Sequence, residues 1–161
     1  MYFERPANAP ETVFMFQTGS DEATEVELTN YNFSQAYEIA DGDVVLKFLP
    51  SIPEADAEFP KFAPTIKIPA SWQKVLILSY TDASNGKFPI NFQPLNASPS
   101  NFGVGDTMFF NSSPMTIYGR LGKKKLVLKP NSAVISKNRS TTEREYFVNL
   151  RQTNDERTED Y

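Results

Sequence analysis

The chain has 161 residues and a formal net charge of −4, and its content of 40% hydrophobic and 13% aromatic residues is too high for an intrinsically disordered protein. It contains no cysteine and no histidine, which excludes disulfides, thiol nucleophiles, Ser-His-Asp triads and the usual zinc, copper and haem sites. No apolar run approaches the ~18 residues that a transmembrane helix requires, so no membrane span is predicted.

The first half of the chain predicts strands joined by turns that contain proline and glycine. Residues 1–10 are predicted to form a flexible N-terminal arm. Residues 12–17 form an unbroken apolar run, which is typical of a strand covered on both faces, and residues 24–29 alternate between apolar and charged side chains. A short strand over residues 36–39 is expected to form a hairpin with residues 43–49 through an Asp-Gly turn.

The middle of the chain begins with a proline-rich stretch over residues 50–64, which predicts an exposed loop because proline cannot donate to a β-ladder. Residues 74–80 form a second continuous apolar run and are the best candidate for a central strand. Residues 88–95 are extended but contain two prolines, so they are expected at the edge of a sheet.

Residues 105–136 contain four short apolar runs separated by turn formers, a pattern typical of a β-meander. Within it, residues 107–111 are expected to pair with residues 115–119. One more strand is predicted within residues 143–152, with Tyr146 on its apolar side. Residues 153–161 are polar and charged, and are predicted to form a disordered tail. A chain truncated just before a last strand would show the same pattern.

These elements predict an all-β protein: a two-sheet antiparallel β-sandwich, Ig-like or jelly-roll-like, with nine to eleven short strands and no substantial helix. A single domain is expected over residues 11–152. Charge varies along the chain: residues 1–70 carry −8, residues 71–142 carry +7 and residues 143–161 carry −3. The basic portion could bind an anionic partner, or acidic and basic strands could be neighbours in the sandwich and partly cancel.

Residues 72–136 carry a recurring pattern of turn and core residues: Phe109-Phe-Asn-Ser-Ser-Pro, Gly119-Arg-Leu-Gly and Leu126-Val-Leu-Lys-Pro130, preceded by Pro94-Leu-Asn-Ala-Ser98 and residues 103–106. The pattern resembles small exported β-sandwich proteins of Gram-negative bacteria that have no assigned activity. It is also similar to β-sandwich accessory domains of envelope polysaccharide systems. The resemblance implies export and supplies no catalytic residues. Asn131 replaces the glycine of the family pattern, and asparagine tolerates the left-handed backbone that this turn requires.

Two groups of side chains are candidates for ligand contact. Lys123, Lys124 and Lys125, with Arg120 nearby in sequence, could bind phosphate or an acidic glycan, or could form a solvated hairpin tip that discourages edge-to-edge sheet pairing. Tyr118 and Trp72 could stack on sugars, or could be ordinary packing residues.

Acidic residues offer weaker candidates for chemistry. Glu54, Asp56 and Glu58 alternate in the proline-rich loop, and Asp41 and Asp43 flank a glycine. They could bind calcium or act as a glycosidase pair, but neither group matches an EF-hand loop. No metal and no cofactor is predicted.

We therefore predict a non-enzymatic cell-envelope or periplasmic β-sandwich with a structural or macromolecule-binding role. The alternatives are a carbohydrate-binding module that uses exposed aromatic residues and, third, a carboxylate-based glycan hydrolase. The expected partner is a protein or polysaccharide of the envelope rather than nucleic acid, because the chain is acidic overall and has no nucleic-acid-binding motif. The chain starts without a basic-then-apolar signal, so it is expected to be exported if a signal peptide was removed, and cytoplasmic otherwise.

Overall fold

The computed structural model describes residues 1–2, 5–6, 9–20, 22–54, 58–137 and 148–152. Within these ranges the chain is all-β, with eleven short strands, antiparallel pairing between them and no helix. The predicted β-sandwich-like fold class is thereby confirmed. None of the described segments forms a helix long and apolar enough to cross a membrane. The chain forms two compact units, residues 1–97 and residues 98–161. The single domain expected over residues 11–152 stays a prediction.

The first unit contains six strands in two sheets. They are β1 (Thr12–Gln17), β2 (Ala23–Glu27), β3 (Val44–Leu49), β4 (Thr65–Ile68), β5 (Val75–Thr81) and β6 (Ile90–Asn96). The order β2-β1-β3-β4 forms a four-stranded sheet, and β5 pairs with β6. In β3 and β4 every second side chain is buried, as expected for strands with one face on a core.

A single apolar core holds the two sheets of the first unit together. Val44, Leu46 and Phe48 of β3 are buried in it, with Phe92 contributed by β6. The rings of Phe48 and Phe92 stack with their centroids 3.9 Å apart, so these two sheets face each other. Burial of each such side chain contributes about 1.5–3 kcal/mol.

Tyr2 also joins the two sheets of the first unit. Its side chain is 1% exposed, its N–H donates to the Thr29 carbonyl at 2.7 Å, and it forms an isolated parallel bridge with Ser79 of β5. Tyr2 therefore differs from the flexible arm expected for residues 1–10, because its ring adds a large apolar surface to the core. Residues 3, 4, 7 and 8 lie outside the described residues.

The predicted strand over residues 36–39 is wrong, since residues 28–43 contain no strand. In this segment, side chains form hydrogen bonds with backbone groups in place of a β-ladder. The Gln17 side chain donates to the Glu38 carbonyl and accepts from the Ala40 N–H at 2.7 Å, and the Tyr37 hydroxyl accepts from the N–H of Glu27. Strand β3, the expected hairpin partner, pairs with β1 and β4 instead.

The second unit contains the remaining described strands: β7 (Thr107–Asn111), β8 (Ile117–Leu121), β9 (Lys124–Leu128), β10 (Ser132–Ser136) and β11 (Val148–Gln152). Strands β11, β8 and β9 form a three-stranded sheet in that order, and β10 pairs with β7. Asn131, in the turn before β10, has a φ of 48°, which is the left-handed geometry expected from the sequence. Tyr146 and residues 153–161 lie outside the described residues.

The predicted pairing of β7 with β8 is wrong, and the reason is the Asn111 side chain, which is buried at the end of β7. Its amide NH₂ donates to the carbonyls of Met115 and Leu128 at 2.7 and 2.9 Å, while its Oδ1 accepts from the N–H and hydroxyl of Ser113. The three bonds to Ser113 and Met115 fold the chain into a compact turn directly after β7, and the fourth joins this turn to the end of β9. The turn leaves β8 to pair with β9 and β11.

Candidate functional site

The β8–β9 hairpin presents the lysine cluster predicted from sequence. Leu121 pairs with Lys124, so the loop between the strands has two residues, Gly122 and Lys123. Gly122 has a φ of 57°. A glycine with positive φ at the first loop position is typical of a type II′ turn, whose twist matches that of the flanking strands. This local geometry places Lys123 at the tip of a regular hairpin.

One face of the hairpin combines cationic and apolar side chains. In the register, Tyr118 pairs with Val127 and Arg120 pairs with Lys125. Side chains alternate along a strand and paired residues share a face, so these four residues lie on the same side of the sheet. We call them the outer hairpin face. On the opposite side of β9, Leu126 and Leu128 are buried, which fixes the orientation of the strand.

The cations of the hairpin have no internal counterion within the described residues. Arg120 and the lysines at positions 123, 124 and 125 are all exposed. Asp106 is the one acidic residue in the described part of the second unit, and it forms a 3.0 Å ion pair with Lys137. No ion pair joins a described carboxylate to the hairpin cations. The outer hairpin face therefore carries a local positive potential.

Tyr118 lies beside these cations as a half-buried side chain. Across the strands, its partner Val127 is 49% exposed, so the pair forms a small apolar surface that water reaches. A tyrosine held in this way offers a ring edge and a hydroxyl at a fixed position. Tyr118 and Lys123 thus belong to one hairpin, whereas the sequence analysis paired the strand of Tyr118 with residues 107–111.

The other predicted contact residues are not members of this face. Lys124 pairs with Leu121 and belongs to the opposite face of the strand. Trp72 belongs to the first unit, where it is partly buried against the apolar core and its N–H donates to the Pro69 carbonyl. The geometry thus makes Trp72 a packing residue, and it brings Arg120, Lys125 and Tyr118 together.

The described acidic residues that were considered for calcium do not form a metal-binding group. Among the described residues, no three acidic side chains lie close enough together to hold a metal ion. Asp43 has a structural role, because its Oδ1 accepts from the Ala70 N–H at 2.8 Å. Asp56 lies outside the described residues.

Two exposed aromatic residues in the first unit were missed by sequence reasoning. Tyr31 is 91% exposed and Phe33 is 63% exposed, in the connection between β2 and β3. We call residues 29–35 the aromatic loop. The sequence indicates this loop by its composition, because residues 28–37 carry no charge in a unit that has thirteen acids and six bases.

The side chains with shifted pKa values, Tyr80 and Asp82, lie at the end of β5 and in the turn after it, and neither was predicted to contact a ligand. Hydrogen bonds from Ser84, and a weaker one from Asn91, hold the pKa of Asp82 below its ordinary value. Burial, together with the charge of Asp82, raises the pKa of Tyr80. Since the carboxylate accepts from groups of its own turn and from the adjacent strand, its role is to fix the turn between β5 and β6.

Comparison of the chain with protein-family models, with curated proteins and with solved structures gives no match.

Proposed function

We propose that this protein is a non-enzymatic β-sandwich of the cell envelope or periplasm that binds an acidic polysaccharide through its outer hairpin face. The observation that carries the proposal is the group of exposed cations on and next to this face, Arg120 and Lys125 with Lys123 at the hairpin tip, which no described carboxylate neutralises. A macromolecule with regularly spaced anions would supply counterions for these side chains.

The chemistry of the outer hairpin face fits carboxylated or sulfated sugars. Arg120 offers a planar guanidinium that can hold a carboxylate or sulfate with two hydrogen bonds, while Lys125 acts as a point charge. Tyr118 lies two residues from Arg120 on the same face and can contact the apolar side of a sugar ring. Because these side chains project from paired strands, little backbone entropy is lost on binding.

The proposed cellular location and the proposed class of partner are supported by different observations. The resemblance of residues 72–136 to exported β-sandwich proteins supports the envelope, and the absence of cysteine is compatible with an exported chain. A polysaccharide is favoured over nucleic acid because the sequence contains no recognised nucleic-acid-binding motif. We propose no catalytic step.

The test compares two variants that remove the same charge. Lys123→Gln/Lys125→Gln removes two cations from the hairpin, and Lys61→Gln/Lys67→Gln removes two exposed cations from the first unit. Binding to alginate and heparin is measured as a function of salt concentration. We expect the hairpin variant to bind at least about tenfold more weakly, with a salt slope reduced by about 2, and the control to bind like the wild type.

If both variants bound alginate and heparin equally well, the outer hairpin face would not be the binding surface. Failure of the wild-type protein to bind either polyanion would overturn the proposal altogether. A further binding measurement uses a single-stranded DNA oligonucleotide whose charge matches that of the polysaccharides. If the protein preferred the oligonucleotide over both polysaccharides, nucleic acid would replace acidic polysaccharide as the partner.

A further inference from the structure

The aromatic loop, residues 29–35 of the first unit, holds two aromatic side chains in water although its ends are fixed. Leu28 is buried in the core before the loop, and Tyr37 packs partly against the core after it. The Thr29 carbonyl accepts the N–H of Tyr2, and the Thr29 hydroxyl donates to the Asn32 carbonyl. The base of the loop is therefore tied to the fold, and the exposure of Tyr31 and Phe33 is not the result of a free chain end.

Leaving these two rings in water forgoes a substantial stabilisation. Burial of an aromatic side chain contributes about 1.5–3 kcal/mol, and the same segment uses Tyr37 and Ile39 in this way. Tyr31 and Phe33 are two residues apart and are 91% and 63% exposed. Two exposed aromatic side chains this close in sequence are candidates for a contact surface.

The composition of the loop selects the class of ligand. Its other side chains are amides and hydroxyls, Asn30, Asn32 and Gln35 among them, and residues 28–37 carry no charge. Amides and hydroxyls can exchange hydrogen bonds with sugar hydroxyls, while aromatic rings cover the apolar face of a sugar ring. The first unit carries a net charge of −7 from thirteen acids and six bases, so an anionic ligand would be repelled.

Asn30 adds an unused hydrogen-bond acceptor at the base of the loop. Its Oδ1 is buried and has no hydrogen-bond partner within the described part of the chain. An unpaired buried amide oxygen destabilises a folded chain by about 1–3 kcal/mol. A small rotation of the side chain toward the loop surface would let this oxygen accept from a hydroxyl of a bound ligand.

We propose that the aromatic loop is a binding site for a neutral glycan, with Tyr31 and Phe33 as the stacking residues. This site belongs to the first unit, which carries a net negative charge, whereas the outer hairpin face belongs to the second unit. Its shallow, exposed form fits a polymer, because each sugar unit contacts little surface and affinity is built from several units.

The experiment is affinity electrophoresis in gels that contain one of four neutral polysaccharides: laminarin, xyloglucan, galactomannan or dextran. Tyr31→Ala/Phe33→Ala is compared with Ile52→Ala/Val104→Ala, which removes two other exposed apolar side chains. Because all four positions are exposed, both variants are expected to fold, and thermal unfolding monitored by circular dichroism verifies it.

We expect at least one neutral polysaccharide to retard the wild type and the control equally. The loop variant should bind that polymer about 10- to 100-fold more weakly, since two ring contacts are lost. Lys123→Gln/Lys125→Gln should keep full affinity for the neutral polymer, which separates this proposal from the polyanion surface. The proposal is overturned if none of the four polymers retards the wild type, or if the loop variant is retarded like the wild type.

Discussion

The carboxylate of Asp106 lies 3.0 Å from the Nζ of Lys137, and the pair neutralises the one acid in the described part of the second unit. The Asp106 side chain is 1% exposed, whereas that of Lys137 is 44% exposed. The same carboxylate oxygen accepts the Gly103 N–H at 2.9 Å, and the lysine also donates to the Asn101 carbonyl. The ion pair thus ties the loop before β7 to the end of β10.

Removing either partner of this pair should destabilise the second unit by different amounts. Lys137→Gln removes the lysine charge from its 3.0 Å contact with a buried carboxylate, which we expect to lower the free energy of unfolding by about 2–3 kcal/mol. Asp106→Asn leaves a solvated lysine and keeps an acceptor for the Gly103 N–H, so the expected loss is about 1 kcal/mol. Urea unfolding of both variants measures the difference. A larger loss for Asp106→Asn would contradict this assignment.

The buried amide of Asn111 should be among the most sensitive positions of the second unit. Asn111→Ala removes both donors to the Met115 and Leu128 carbonyls and the acceptor for Ser113, and should destabilise the chain by about 3 kcal/mol. Ser113→Ala removes only the hydroxyl contacts and should cost about 1 kcal/mol. Thermal and urea unfolding compare the two. If they proved equal, the turn after β7 would not depend on the amide.

The Asn111 turn also shows how far the sequence predicts this fold. Asn-Ser-Ser-Pro after an apolar run indicates a turn, and the turn is present. The sequence does not indicate that the Asn111 amide bonds the carbonyl of Leu128, seventeen residues later, which redirects β8 to β9. Local propensity therefore predicts the strands and turns, while long-range side-chain bonds decide the pairing.

The candidate binding residues, too, can be predicted from the sequence only where local turn geometry decides their position. A two-residue Gly-Lys loop between alternating runs predicts that Lys123 lies at a hairpin tip, because turn geometry is a local property. The exposure of Tyr31 and Phe33 depends on which aromatic residues the core has room for. Tyr2, from a distant part of the chain, is buried in that core and bonds to the backbone of Thr29, so contacts far apart in sequence decide which aromatic side chains are buried. No local pattern contains this information.

Gly119 in β8 is a position where a single methyl group should displace a neighbouring strand. A Cβ at this residue would overlap the Asn149 carbonyl oxygen and would lie 2.7 Å from the Cδ2 of Leu150, both in β11. Backbone cannot move aside locally, so Gly119→Ala should destabilise the second unit by about 1–3 kcal/mol and increase amide hydrogen exchange in β11. Gly86→Ala is the control, because a Cβ there has no atom within 4 Å. Unchanged exchange in β11 would contradict the predicted clash.

The turn at Asp82 should make a small contribution to acid sensitivity. The Ser84 hydroxyl is the main cause of the lowered pKa of Asp82, followed by the Ser84 N–H and, more weakly, the Asn91 amide. A carboxyl whose pKa is lower in the folded chain stabilises the fold above its unfolded pKa of about 3.9. That stabilisation is lost as the pH falls through the lower folded value.

Ser84→Ala should therefore raise the pKa of Asp82 toward its ordinary value, as followed by carbon NMR of the carboxyl group, and should lower stability at pH values above that range. At pH values below the folded pKa of Asp82, wild type and variant should differ less, because the carboxyl is then protonated in both. Asp82→Asn provides a second readout, since loss of the Asp82 charge should lower the pKa of Tyr80 while burial keeps it above the ordinary value. A pKa of Asp82 that is unchanged in Ser84→Ala would show that the serine hydroxyl does not hold this turn.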